Sequence, residues 1–212
     1  MKNIPFFTTD SGVASLTLEQ VPFNQTAYIR IQSSCEPELL LKECLDFCKA
    51  IGSEAVYATG IEEPACSSAA VSVIRMTRDR DGLSGAELTL VSVDETSGEE
   101  FRRIYNEIMH EIPFASFMKS DDLKTLVDKR NGYYLYCHQE LVGIGIADGA
   151  WIRAIISLKR GAGESILLAL NQVLEGDTVM VELVDTNKRA KRLYERMGFC
   201  FSEVVSTWYK IL

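Results

Sequence analysis

Histidine is nearly missing from this 212-residue chain: His110 and His138 are the only two. Its six cysteines (Cys35, Cys44, Cys48, Cys66, Cys137, Cys200) form no Cys-x-x-Cys pair, so a metal centre has almost nothing to be built from. Cys44 and Cys48 stand four apart with no histidine near, and all six read as reduced core thiols of a cytosolic protein. Proline is also sparse, at five, which speaks against an extended or disordered chain. No run approaches the ~20 apolar residues of a membrane span. The opening Met1–Phe7 is broken by Thr8, Thr9 and Asp10 too soon for a secretory signal. A basic surplus is lacking too. The formal charge is −8, and both halves are acidic, with seven basic against eleven acidic residues over 1–85 and fifteen against nineteen over 86–212. Nucleic acid and anionic membranes are therefore not expected as partners.

What remains is ordinary globular material, 47% hydrophobic and 25% charged. That is enough for one large domain or two small ones, burying roughly 70% of the unfolded surface without disulfides. Val13 to Val21 alternates like a strand ended by Pro22, and Ala27 to Gln32 is a second. Leu39, Leu40, Cys44, Phe47, Cys48 and Ile51 recur at helical spacing between Pro37 and Gly52. Ala55–Thr59 and Val71–Met76 read as strands, and Thr77–Gly85 as a linker. A strand over Glu87–Val93 precedes a capping-box pattern, Ser97-x-x-Glu100, and a helix from Glu99 to Glu111 that stops before Pro113. A short helix follows Ser120-Asp121. A hairpin turns about Gln139-Glu140, between strands Tyr133–His138 and Leu141–Ile146. Then come strand Trp151–Leu158, helix Ser165–Leu174, strand Val179–Val184, helix Lys188–Met197 and strand Phe201–Ile211. The order is that of a mixed α/β sheet. Ala27-Tyr28-Ile29-Arg30 echoes Ala150-Trp151-Ile152-Arg153 at an offset of 123 residues. Each is followed by a helix, a glycine and a strand, which predicts a partial duplication.

Two segments carry chemistry. In Ile155-Ile156-Ser157-Leu158-Lys159-Arg160-Gly161-Ala162-Gly163-Glu164-Ser165 an apolar strand enters a glycine turn that opens a helix. The unpaired N–H groups of that helix start suit a phosphate or diphosphate, with Lys159 and Arg160 adding positive charge. The plainer reading is a strand-to-helix turn with a solvated basic pair. A dinucleotide loop is disfavoured, because Ile166 stands where a third glycine would be needed. The second segment is Asn187-x-x-Ala190-x-x-Leu193-Tyr194-x-x-x-Gly198-Phe199. By itself it reads as a capped helix, with Asn187 as N-cap, Tyr194 in the core and Gly198 as the stop.

Together these segments resemble the GNAT family of acetyl-CoA-dependent N-acetyltransferases. That family carries a Gln/Arg-x-x-Gly-x-Gly/Ala loop, a strand, and then Asn-x-x-Ala-x-x-Leu-Tyr-x-x-x-Gly-Phe. Leu158 departs from the usual Gln or Arg. Residues 86–212 carry the resemblance, and residues 1–85 read as a degenerate, non-catalytic repeat of the same fold. The fold implied is α/β of the α+β kind, a mixed and mostly antiparallel sheet flanked by helices.

The resemblance implies acetyl-CoA as co-substrate, no metal, and transfer of an acetyl group to a primary amine by direct attack. It implies a cofactor site at Ile155, Ile156, Ser157, Lys159, Arg160, Gly161, Ala162, Gly163, Glu164, Asn187 and Tyr194. The pantetheine arm would lie between the strands at 155–157 and 179–184, and a strand N–H near Ile155 or Ser157 would polarise the acetyl carbonyl. Tyr194, a phenol of pKa ~10 facing a thiol of ~8.5, would be the general acid. Lys188, Arg189, Lys191 and Arg192 form either a solvated face or a seat for the 3′-phosphate. Asp148, His138 and Glu182 are open choices for a general base. The acceptor, a small molecule or a peptide amine, would be bound by Glu99–Arg130. A cytoplasmic homodimer is the assembly considered, and a catalytically inactive CoA-binding regulatory or scaffold module is the alternative.

Overall fold

In a computed structural model, residues 5–83, 87–110, 112 and 114–212 are described. The chain forms two compact units, Met1–Val73 with Val204–Leu212, and Ile74–Glu203. The boundary expected between residues 85 and 86 lies outside the described residues, as do Glu111 and Pro113.

In the first unit β1 (Phe6–Thr9), β2 (Gly12–Thr17), β3 (Thr26–Ser34) and β4 (Ala55–Thr59) lie side by side in that order. β1 to β3 are antiparallel, and β3 and β4 are parallel, joined by α2 (Pro37–Ala50). Pro37 sits in the first turn of α2, where its missing N–H costs nothing, and Gly52 ends the segment at φ +90°. Leu40, Leu41, Cys44 and Cys48 face the core with Leu16, Ile29 and Val56. Of the six thiols expected in the core only Cys44 and Cys48 are buried, while Cys35, Cys66 and Cys200 are exposed and Cys137 is half-buried. Burial pushes Cys44 and Cys48 up to about 12 and about 11, so these two stay protonated and inert. The expected strand over Val13–Val21 is cut short. Pro22 opens a single helical turn, α1 (Val21–Asn24), instead of ending a strand. The C-terminal strand β11 (Cys200–Lys210) closes the unit, pairing antiparallel to β4 through Tyr209 and Lys210.

The second unit has the strand order β5 (Ala69–Asp79), β10 (Thr178–Val184), β9 (Trp151–Ser157), β8 (Glu140–Asp148), β7 (Gly132–Cys137) and β6 (Thr89–Ser92). β6 to β9 are antiparallel, and β9 and β10 are parallel. Thr77–Asp79, expected to begin a linker, instead complete β5. One core packs α5 (Gly163–Leu170) and α6 (Lys188–Arg196) on one face, and a second packs α3 (Gly98–Met109) and α4 (Ser120–Lys129) on the other. The hairpin turns one residue earlier than expected, through His138 and Gln139 at φ +46° and +72°. Two consecutive left-handed residues are what a tight antiparallel hairpin requires. The expected Ser97–Glu100 capping box is not formed. Ser97 turns back to Asp94, whose Oδ1 accepts bonds from the backbone and hydroxyl of both Thr96 and Ser97. Those charge-assisted bonds outcompete the cap and hold the Asp94 carboxyl down at about 2.

The duplication is visible in register. Tyr28 pairs with Tyr57, and Trp151 with Met180, so both strand–helix–strand units advance by the same number of residues between paired positions.

Candidate active site

The second strand–helix–strand unit differs from the first in how far its strands stay paired. β3 and β4 stay paired over five positions, from Thr26↔Ala55 to Arg30↔Thr59. β9 and β10 pair only at Trp151↔Met180 and Ile152↔Val181, and then part. At the fork β9 carries a bulge. Ile146 pairs with Ala154 and Ala147 with Ile152, leaving Arg153 as the extra residue, and such bulges bend the strand that carries them.

Backbone alternation decides what the fork offers. Leu158 donates to the carbonyl of Val142 at 2.9 Å, so Leu158, Ile156 and Ala154 turn their peptide groups toward β8. Ile155 and Ser157 therefore turn theirs toward the open β10 side. Among the described residues no strand pairs with that side of Ile155 and Ser157, the two residues the sequence singled out. Ile156 instead buries its side chain beneath α3 and α4.

The loop continues directly from this strand. Gly161 lies at φ +89° with open space around its α-carbon, a conformation that side-chain-bearing residues rarely adopt. No side chain caps α5 at Ala162, so the N–H groups of its first turn are left to an outside acceptor. Among the six N–H groups from Lys159 to Glu164, Lys159 donates to Val142 at 3.3 Å and Ala162 to Lys159 at 3.2 Å. The remaining four have no recorded acceptor among the described residues. Glu164 is exposed on the first turn. Lys159 pairs with Glu140 at 2.5 Å, while Arg160 extends into solvent.

Glycines let α5 sit this close. A Cβ on Gly143 would lie 2.4 Å from both the Ile156 carbonyl oxygen and Ile166 Cδ1. At the helix start, a Cβ on Gly163 would stand 3.1 Å from Leu193 Cδ2 and 3.4 Å from Ser157 Oγ. The two segments read from the sequence thus meet there.

Asn187 is an N-cap: its Oδ1 accepts from the backbone of Ala190 at 3.0 Å. Tyr194 is buried in the core that holds Val181 and Ile166, its ring 5.5 Å from that of Phe199. Its hydroxyl has no hydrogen-bond partner among the described residues, and burial pushes it up to about 12. The phenol is therefore protonated at neutral pH and able to donate. Of the basic run, Lys188 bonds the Asp185 carbonyl at 3.0 Å and Lys191 approaches Glu195 at 3.9 Å. Arg189 and Arg192 are exposed without a recorded partner among the described residues.

The three open choices for a base now separate. His138 is in the hairpin turn, and Asp148, which pairs with Trp151, lies 3.9 Å from Lys129. Glu182 is the first residue of β10 beyond the last pair with β9. The sequence reading missed what surrounds it, namely Arg75, Trp151 and Arg153. Trp151 and Arg153 were legible only as half of a repeat, and Arg75 lies more than 70 residues away. Among the described residues no three His, Cys, Asp or Glu side chains gather as a metal would need, and no helix is long and apolar enough to cross a membrane.

No family model matches the sequence, and neither does any curated protein. Solved structures do match in shape. A conserved protein of unknown function from Staphylococcus epidermidis superposes at TM-score 0.59 with 12% identity, over 99% of this chain and 94% of that one. A GCN5-related N-acetyltransferase from Sphaerobacter thermophilus matches at 0.55 and 12%, over 94% and 75%. A tandem GNAT protein from the clavulanic acid biosynthesis pathway matches at 0.51 and 14%, over 94% and 78%. The fold is that of the GNAT acetyltransferases. At these identities the GNAT likeness speaks for the fold alone.

Proposed function

We propose that this protein is an N-acetyltransferase that moves an acetyl group from acetyl-CoA to a primary amine within a ternary complex. The observation that carries the reading is the fork. β9 and β10 separate after two pairs, so that among the described residues no strand pairs with that side of Ile155 and Ser157, and the strand leads into an uncapped helix start. An extended pantetheine arm fits the first feature and a diphosphate the second. When bound, acetyl-CoA supplies the thioester that is cleaved.

The chain's own residues then have definite tasks. The free amides of Arg160, Gly161, Gly163 and Glu164 hold the diphosphate, and Arg189 and Arg192 face the 3′-phosphate. The N–H of Ile155 or Ser157 stabilises the carbonyl oxygen as negative charge develops on it. An ammonium group first loses one proton, and its neutral nitrogen forms the bond to the carbonyl carbon. As the C–S bond breaks, Tyr194 gives its proton to the departing sulfur. The second nitrogen proton, passed through water, returns Tyr194 to the phenol. One proton is released per amide formed.

The N-terminal unit is read as a degenerate repeat without activity. Its strand β4 stays paired with β3 along its whole length. Its helix start holds Pro37, and Ser34 Oγ already accepts the Glu36 N–H at 3.0 Å. A cytoplasmic location accords with the cysteine reading and the acidic charge.

The test is thiol release from acetyl-CoA with a panel of primary amines, for the wild type and Tyr194→Phe. Turnover that falls on substitution while acetyl-CoA affinity holds supports the reading. Acetyl-CoA binding without turnover on any amine favours the alternative, a CoA-binding regulatory or scaffold module.

A further inference from the structure

At the first open rung of the fork the two strands carry opposite charges. Arg153 is the bulged residue of β9, and Glu182 follows the last paired residue of β10. Alternation sends Val179, Val181 and Leu183 into the core under α5 and α6, so Glu182 projects from the opposite face. Arg75 of β5 does the same between Ile74 and Met76. Both guanidinium groups converge on one indole, and Arg75 also holds Glu182. The Arg153 guanidinium lies 4.3 Å from the centroid of Trp151 and that of Arg75 lies 4.9 Å away.

The bonding within this group leaves two free ends. Arg75 binds Glu182 Oε1 through Nε at 3.2 Å and Nη2 at 2.8 Å, and binds Glu203 through Nη1. Glu182 Oε1 is thus taken and its carboxylate held in one orientation, while Oε2 has no recorded donor among the described residues. Arg153 is exposed, stacked on Trp151, and has no recorded carboxylate partner among the described residues. An unpaired guanidinium braced on an aromatic ring presents its N–H fork to a carboxylate, and a free carboxylate oxygen beside it accepts from an ammonium.

We propose that the acetyl acceptor is a free amino acid, its carboxylate held by Arg153 and its ammonium by Glu182 Oε2. The inference rests on the acetyltransferase reading above. Binding on this face leaves the α5 and α6 side to the diphosphate, so the two substrates reach the fork from opposite faces. The ammonium gives one proton to Glu182 Oε2, which passes it to water, and the neutral nitrogen attacks the thioester carbon. Arg75 is a positioning residue. It keeps Glu182 turned toward the fork and touches neither substrate.

The test measures thiol release from acetyl-CoA by the full-length protein with the twenty L-amino acids, each beside its decarboxylated amine. At least one amino acid is expected to exceed its amine by about 10–100-fold in kcat/KM, the range of a hydrogen-bonded charged pair. Arg153→Ala should erase that preference and Arg153→Lys should keep part of it. Glu182→Gln should lower turnover of the amino acid by a similar factor. Calorimetry with acetyl-CoA should give the same affinity for all three variants, which separates an acceptor defect from misfolding. Amines lacking a carboxylate used as well as amino acids, or a preference that survives in Arg153→Ala, would overturn the proposal. If amines without a carboxylate are acetylated and no amino acid is used, the acceptor class is wrong and the acetyltransferase reading stands; if acetyl-CoA binds and nothing is acetylated, both give way to the scaffold alternative. If acetyl-CoA does not bind, both fall.

Discussion

Gly143 and Gly145 on β8 both lie under α5, and substituting each with alanine separates two kinds of crowding. A Cβ on Gly143 would stand 2.4 Å from a backbone oxygen, that of Ile156, and 2.4 Å from Ile166 Cδ1. The first of these atoms is fixed by the β8–β9 ladder, in which Ile144 pairs with Ile156. A Cβ on Gly145 would meet the Leu170 side chain, its two methyls at 2.6 and 2.9 Å and its Cγ at 3.1 Å, which can turn aside. Overpacking of a well-filled core costs about 1–3 kcal/mol, and about 2–4 °C of melting temperature per kcal/mol applies at this chain length. Gly143→Ala should therefore melt lower by about 2–12 °C and weaken acetyl-CoA binding, because α5 and its first turn are pushed off the strand. Gly145→Ala should fall at the lower end of that range with affinity kept. Thermal denaturation by circular dichroism and calorimetric titration read both. Equal losses, or a larger loss at Gly145, would refute the packing argument.

Tyr194→Phe should lower thiol release by about 10²–10⁴-fold, the usual contribution of a general acid, with acetyl-CoA affinity nearly unchanged. The same variant has a pH signature. In the unfolded chain the phenol ionises near ~10, but in the folded one only near about 12, so the native state keeps a proton that the unfolded state sheds. Stability must then fall as pH rises between those values, by about 2–3 kcal/mol for this group. Denaturant melts of wild type minus Tyr194→Phe should carry that slope, and parallel curves would contradict it. Calorimetry should count one acetyl-CoA per chain, because β3 and β4 do not part; two sites would contradict that reading of the first unit. Ending the chain at Glu203 removes the partner of β4 and the buried Ile211, so protease should cut residues 5–73 rapidly. Resistance equal to that of the whole protein would contradict it.

Much of the fold was legible because its signals are local. Ala55–Thr59 and the helix ended by Gly52 follow from unbroken hydrophobic period and one glycine, and the structure returns both with little change. The errors came where a distant or competing partner decided. The Ser97 N–H had two carboxylates to choose between, and Asp94 took it, while Ser97 Oγ accepts from the Asp94 N–H. Pro22 could end a strand or begin a helical turn, and composition does not distinguish these. At the candidate site, the loop and the helix of Tyr194 were readable as motifs. The parting of β9 from β10 was not, since no residue in either strand states how far a ladder runs. Glu182 could be named but not chosen. What singles it out, Arg75 and Trp151, depends on β5 lying beside β10, a pairing between segments about a hundred residues apart.

Hydrogen–deuterium exchange with and without acetyl-CoA reports on the fork itself. Slower exchange confined to the amides of residues 155–165, with β3 and β4 unaffected, is the outcome expected. Unchanged exchange across 155–165 at saturating acetyl-CoA, or protection confined to the first unit, would contradict the assignment of this fork as the acyl-donor site.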